Sequence, residues 1–247
     1  MIEVVDLNVS FGKNTVLDIA SLRFNDRGFY ALIGPSGCGK TTFINVLSGA
    51  ISKYRGTVTI NQQNLKKMNN KQKLAYRQKH VSVAYQDSVL FDDLSVIDNI
   101  NIKLDFYPRL STKRRLYQIE TLLRRLKIHH LKDKLCKYLS GGEKQRVAIA
   151  RTLVSGAEIL VFDEPTSALD IDNSRIVFSL LSEYASTTLV LVVTHNRILI
   201  EDYAQSIVTL NYGRIQSIKH LEKRLDQQSN TITLNKQISA QPKGKTI

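Results

Sequence analysis

The chain has 247 residues, 43% of them hydrophobic, and a formal net charge of +13. That length supports one core or two connected lobes, and the longest apolar runs, such as Thr188 to Thr194, are strand-sized, which excludes a transmembrane helix. Cys38 and Cys136 are too few for a disulfide framework and lack metal-ligand spacing, and Met1-Ile2-Glu3 lacks the basic and apolar regions of a secretory signal, so a reducing, cytosolic setting is expected.

The positive excess favours an anionic partner, and on charge alone nucleic acid, a membrane surface and phosphate-bearing ligands are all compatible. Along the chain, Ile2 to Val5 and Leu22 to Phe24 are short β-type runs between turn residues, and Gly56 to Ile60 adds another; these predict a small antiparallel region. Tyr30 to Ile33 is instead a continuous apolar run, as are Ile159 to Phe162 and Leu189 to Val193. Such runs predict buried parallel strands, with ligand chemistry collected at their carboxyl ends.

Directly after the first of these strands stands Gly34-Pro35-Ser36-Gly37-Cys38-Gly39-Lys40-Thr41-Thr42, followed by an apolar helix from Phe43 to Leu47. Strand, G-x-x-x-x-G-K-T and helix come in the order a phosphate loop needs. Glycine amides cradle phosphates, Lys40 serves the β- and γ-phosphates, and the Thr41 hydroxyl serves Mg2+. Cys38 occupies a variable position and reads as a small neutral filler rather than a nucleophile. Gln86 is ambiguous by itself, since its amide could join metal, water and a helical insertion, or could be surface filler.

From Asp98 to Tyr138 the pattern turns helical. Leu116, Ile119, Leu123 and Leu126 form an apolar stripe, with Arg114, Arg124, Arg125 and Lys127 mostly away from it, which predicts a helical insertion in an α/β core. Next comes Leu139-Ser140-Gly141-Gly142-Glu143. Ser140 and Glu143 fit a capping box, helical periodicity follows in Val147, Ala150, Leu153 and Val154, and Gly156 is a candidate C-cap. An ordinary cap does not require Gly141 and Gly142. They bare the positive end of the helix so that an anion can approach the amides, and the chain therefore holds two anion sites.

The Ile159 strand delivers adjacent carboxylates, Asp163 and Glu164. Asp163 can hold hydrated Mg2+ while Glu164 orients and deprotonates water. Val177, Leu180, Leu181 and Tyr184 form another helical stripe, for which plain core packing is the main reading. His195, after the Leu189 strand, is expected at the same sheet edge and could hydrogen-bond a terminal phosphate. After Ile218 the sequence becomes polar and basic, with Gln227-Gln228-Ser229-Asn230, and is expected to be a flexible tail without its own core.

Together these motifs, with Lys144-Gln145-Arg146 and Ser167-Ala168-Leu169-Asp170, resemble an ATP-binding cassette ATPase over Ile2 to Ile218. The resemblance implies an α/β fold: a P-loop NTPase, RecA-like core with a parallel sheet, an N-terminal antiparallel β-subdomain and an inserted α-helical subdomain. It implies a nucleotide-binding domain over 1–218, with its helical part at about 88–139, and a tail over 219–247.

The family pattern assigns catalysis to Glu164, His195, Gln86 and Lys40, and Mg2+ to Thr41, Gln86 and Asp163. ATP falls to Gly34 through Thr42, with Phe11 stacking on adenine. Two domains pair head to tail in this family, so Ser140, Gly141 and Gly142 would serve the ATP of a second copy, or of a paired cassette subunit, and Asp170 would lie in the loop crossing the interface. The implied partner is a membrane-spanning transporter subunit at the cytoplasmic face of the cell membrane. No nucleic acid partner is expected. Tyr85-Gln86 with Leu90-Phe91, Leu94-Ser95-Val96 and Asp98-Asn99-Ile100 is similar to the lipoprotein-releasing, macrolide-exporting and cell-division-associated branch, and Gly156-Ala157-Glu158 departs from the Pro that many relatives carry before the Asp163 strand. The alternative is a non-transporting cassette ATPase, in membrane signalling or associated with nucleic acid or ribosomes.

Overall fold

In the first strand, β1 (Ile2–Phe11), the buried residues change phase: Ile2 and Val4, then Leu7 and Val9. Between them Asp6 has a left-handed backbone, φ 50°, and the register against β4 (Arg55–Ile60) shifts between Val5 and Asn8. This extra residue lets both halves of a long strand face one core. β1 pairs antiparallel with β2 (Asn14–Phe24), so the short runs expected at Ile2 to Val5 and Leu22 to Phe24 are the paired strands at the open end of one long hairpin. With β4 and β5 (Gln63–Asn64) they make a four-stranded sheet in the order β2-β1-β4-β5.

The computed structural model describes residues 1–87, 89–105, 111–195 and 197–221. The remaining elements are β3 (Gly28–Ile33), α1 (Lys40–Leu47), α2 (Asn70–Lys79), β6 (Val81–Ala84), α3 (Val96–Asp105), α4 (Thr112–Arg125), α5 (Gly141–Leu153), β7 (Ile159–Asp163), α6 (Ile171–Tyr184), β8 (Leu189–Thr194), α7 (Arg197–Ile200), β9 (Ser206–Asn211) and β10 (Arg214–His220).

The second sheet has the order β10-β9-β3-β8-β7-β6, parallel throughout except for β10 at its edge. Its central strands β3, β7 and β8 are buried at every position, and apolar up to the carboxyl-end residues Asp163 and Thr194, because both faces are covered. Phe29, Ala31 and Ile33 of β3 join a core with residues of α3 to α6, whereas Tyr30 and Leu32 join a core with α1 and the four-stranded sheet. β8 divides in the same way, Val190 and Val192 to one side and Leu189, Leu191 and Val193 to the other. The α/β arrangement read from the motifs is the arrangement of the chain.

Helices α3 and α4 lie between β6 and α5 in sequence and pack on each other and on α5. The buried face of α4 is Ile119, Leu122 and Leu123, with Leu126 just beyond it. Leu116, expected in that stripe, is exposed: the covered face is completed by Leu122 one turn from Leu126 instead. Helix α5 ends at a right-handed Val154 cap, and Gly156, with φ 60°, turns the chain just after it. The tail beyond Leu221 lies outside the described residues, and the boundary expected at Ile218 falls inside β10.

Candidate active site

Strands β3, β8 and β7 are neighbours in the sheet, so their carboxyl ends bring three segments of the sequence to one edge. From β3 the chain enters the loop Gly34 to Gly39. Gly39 sits at the N-cap of α1 with φ 107°, makes no side-chain cap, and lies so close to β2 that a Cβ would be 2.7 Å from Leu17 Cδ2 and 2.9 Å from the Val16 carbonyl. Only glycine fits, and the first amides of α1 are left facing outward for an anion. Lys40 follows, with Nζ donating to the Gly34 and Pro35 carbonyls at 2.8 and 2.9 Å. Cys38 is buried inside the loop, its amide bound to Pro35 O.

The Thr41 hydroxyl donates to Asp163 Oδ2 at 3.2 Å, across from the end of β7. Asp163 is buried, and burial pushes its carboxyl pKa above the usual aspartate range; the Thr41 bond opposes that push, Glu164 adds to it and Lys40 opposes it again. A carboxylate held at this cost beside a hydroxyl fits Mg2+, which takes one or two carboxylates and shares its remaining positions with phosphate and water. Among the described residues no cluster of three or more His, Cys, Asp or Glu could hold a metal unaided.

Glu164 turns away from Asp163 because its backbone is left-handed, φ 50°, a conformation that a non-glycine residue keeps only when its surroundings over-determine it. They do. Its amide donates to Val193 O at 2.8 Å, continuing the β8 pairing. Its carboxylate accepts from Thr194 Oγ1 at 3.1 Å, from the His195 amide at 3.0 Å, and lies 2.8 Å from His195 Nδ1. The His195 ring itself is largely exposed.

Ser36, Gly37, Gly39, Lys40, Thr41, Thr42, Gln86, Asp163, Glu164 and His195 thus line one cavity of about 610 Å3. Val16 of β2 lines it as well, although an apolar position in a polar-flanked strand carries no signal of its own in the sequence. Phe11 is not part of this wall. It is exposed at the turn of the β1–β2 hairpin, paired with Asn14.

The second bare-glycine start also lies away from the cavity. The Ser140 amide donates to Glu143 Oε2 at 2.8 Å and the Glu143 amide to Ser140 Oγ at 3.3 Å, a complete capping box. Gly142 is needed for close approach, since a Cβ there would meet Ala168 O at 2.8 Å. Asp170 caps α6 through the Asn173 amide at 2.8 Å, and that bond holds its carboxyl below the usual range. Gln145, which sequence had shown only as part of a motif, is buried beside Glu164.

A model of the family described as ABC transporter matches residues 17–167. A lipoprotein-releasing system ATP-binding protein of Psychrobacter arcticus is 39% identical over 68% of this chain and 75% of its own length. A protein of Mycoplasma genitalium named as an ABC transporter ATP-binding protein is 35% identical over 83% of this chain, which spans only 44% of that relative. Among solved structures, an ATP-binding cassette in a dimeric post-hydrolysis state bound to ADP and Pi superposes with a TM-score of 0.83, at 25% identity, over 90% of this chain and 99% of the other.

Proposed function

This chain belongs to the ABC transporter family, and we propose that it binds and hydrolyses ATP as the nucleotide-binding subunit of a transporter, working as a head-to-tail pair. The observation that carries this reading is the separation of the two anion sites. The phosphate loop and the Asp163–Glu164 pair share one cavity, whereas Ser140, Gly141 and Gly142 are outside it. One terminal phosphate cannot occupy two separate helix starts in one copy, so the second start serves the ATP of another. The dimeric, ADP-bound relative supports the pairing.

In the proposed cycle the amides of the Gly34–Gly39 loop and Lys40 hold the β- and γ-phosphates. Thr41, Asp163 and Gln86 would hold Mg2+, which when bound supplies charge neutralisation at the phosphate oxygens. Glu164 takes a proton from the attacking water. Its Oε1 lies against His195 Nδ1, so with the ring in its Nε2–H tautomer the proton gained by Glu164 is donated in a hydrogen bond to Nδ1, while the Nε2–H already on the ring donates to the terminal phosphate. ATP binds the closed pair better than the open one, and turnover drives a conformational cycle in whatever is attached.

The attached component is proposed to be a separate membrane-spanning subunit, which places the pair at the cytoplasmic face of the cell membrane. No helix among the described residues is long and apolar enough to cross a membrane. Relatives at similar identity are named for lipoprotein release, for spermidine/putrescine import and for methionine import, and the lipoprotein-releasing type is the reading adopted for this chain. The test is steady-state phosphate release by the purified chain with Mg2+ and ATP, alongside light scattering. Hydrolysis with an ATP-dependent doubling of mass is expected; a chain that binds no ATP overturns the proposal.

A further inference from the structure

Gln145 lies about one turn into α5 and is 4% exposed. An amide so deeply buried is costly unless its donors and acceptor are engaged. Nε2 donates to the Glu164 carbonyl at 2.7 Å and to Ser167 Oγ at 3.1 Å, and Oε1 accepts from the Ala168 amide at 3.1 Å. All three partners belong to one turn, which begins at the carboxylate assigned to water activation and runs on to Asp170.

The same helix touches that segment at two further levels. Toward its start, Gly142 packs on Ala168 O and Leu169. On the other side, Arg146 Nη1 donates to Asn173 Oδ1 at 2.6 Å, and Asn173 is itself bound to Asp170. Helix capping needs none of this, because Ser140 and Glu143 already complete the cap. What does need support is the left-handed peptide of Glu164. Its carbonyl receives the Gln145 amide at 2.7 Å and the Ser167 amide only at 3.3 Å.

Resting on the proposed function, we infer that Gln145 is a positioning residue that fixes the Glu164 peptide and the Ser167–Asp170 loop to the bared start of α5. A phosphate bound at Ser140 and Gly142 by the pairing copy thereby sets the aim of Glu164 within the same copy. Gln145 touches no reacting atom; it acts through Glu164.

The full chain is tested as wild type, Gln145→Leu and Gln145→Glu, with kcat and KM for ATP, binding of a fluorescent ATP analogue, and thermal melting. Gln145→Leu keeps KM and analogue affinity within about twofold and loses kcat by about tenfold or more, the mark of misplacement rather than lost binding. Gln145→Glu supplies a signature that packing alone would not. Its carboxylate accepts from Ala168 and Ser167 but opposes the Glu164 carbonyl, and its protonated form can donate to that carbonyl again. Burial raises such a carboxyl pKa, so the kcat ratio of Gln145→Glu to wild type rises as pH falls from about 8 to about 6, while the Gln145→Leu ratio stays level. The nearby charged groups, Glu143, Arg146, Asp163, Glu164, Asp170 and His195, are present in all three proteins and cancel in the ratio. An active wild type with an equally active Gln145→Leu, or a level Gln145→Glu ratio, overturns the positioning role alone. A wild type without hydrolysis overturns the function on which it rests.

Discussion

His195 reaches Glu164 twice, its amide donating to Oε1 at 3.0 Å and its ring Nδ1 lying 2.8 Å from the same oxygen. With Thr194 Oγ1 on Oε2, the end of β8 orients the carboxylate completely, while Asp163, one residue earlier, is turned to Thr41. Two adjacent acids are thus turned to different partners, Asp163 to Thr41 and Glu164 to the end of β8, by one left-handed peptide.

Glu164→Gln follows directly from this geometry. The amide has the same length, and its oxygen can still accept from the His195 amide, so the loop and the phosphate contacts survive. What is lost is the proposed base, worth roughly a hundredfold to ten-thousandfold in rate. ATP affinity should be unchanged while kcat collapses, and the pair should persist as a dimer in ATP. Normal turnover in a steady-state assay would remove Glu164 from the base role.

Ser140→Arg tests the other half of the pair. Ser140 is exposed at the bare start of α5, where its hydroxyl accepts from the Glu143 amide in the local cap. An arginine there fills the anion site and loses the capping oxygen, a cost of about 1 kcal/mol. The variant should bind ATP through its intact phosphate loop and remain monomeric by light scattering. ATP-dependent dimers would refute the interface.

The phosphate loop, the Ser140 capping box and the buried parallel strands were all legible in sequence because each rests on contacts within a few residues or on a repeating pattern. Glu164 and Asp163 were legible as a pair, but the left-handed turn that separates them was not, since it depends on Val193, Thr194 and His195 from another strand. The contacts of Gln145 were not legible for the same reason: its partners lie 19 to 23 residues away. Leu116 was misplaced because periodicity says which residues share a face, not how far along the helix a neighbour covers it.

Glu143 gives the structure a pH dependence of known sign. The Ser140 amide is the main cause that holds its carboxyl below the ordinary glutamate range, with the Ser140 hydroxyl adding to it and partial burial opposing it. A depressed folded pKa means that the stabilisation is present above the unfolded value of about 4.3 and is lost as pH falls through the lower folded value. Glu143→Ala should therefore lower the melting midpoint at neutral pH, by roughly 1 to 3 °C for a capping loss on the order of 0.5 to 1 kcal/mol. The difference from wild type should shrink in acid. Glu143→Gln, whose oxygen accepts from the Ser140 amide without a charge, should lie between wild type and Glu143→Ala at neutral pH; a midpoint equal to that of wild type would show that the charge contributes nothing and would remove the pH dependence.

Truncation locates the edge of the folded unit. Beyond Ser217, β10 still pairs Ile218 with Val208, Lys219 with Ile207 and His220 with Ser206, and the Leu221 amide donates to Gln205 O at 2.9 Å. The His220 ring also lies 2.8 Å from Ser206 Oγ. Ending the chain after Ser217 removes these bonds and leaves half of β9 as an unpaired edge beside β3. A loss of roughly 1 to 3 kcal/mol is expected. Ending it after Leu221 removes only the polar stretch that includes Gln227-Gln228-Ser229-Asn230 and should leave the melting midpoint and ATP hydrolysis close to those of the full chain. Equal stability of the two truncations would mean that the outer half of β10 contributes nothing to the sheet, and the boundary would return to Ile218.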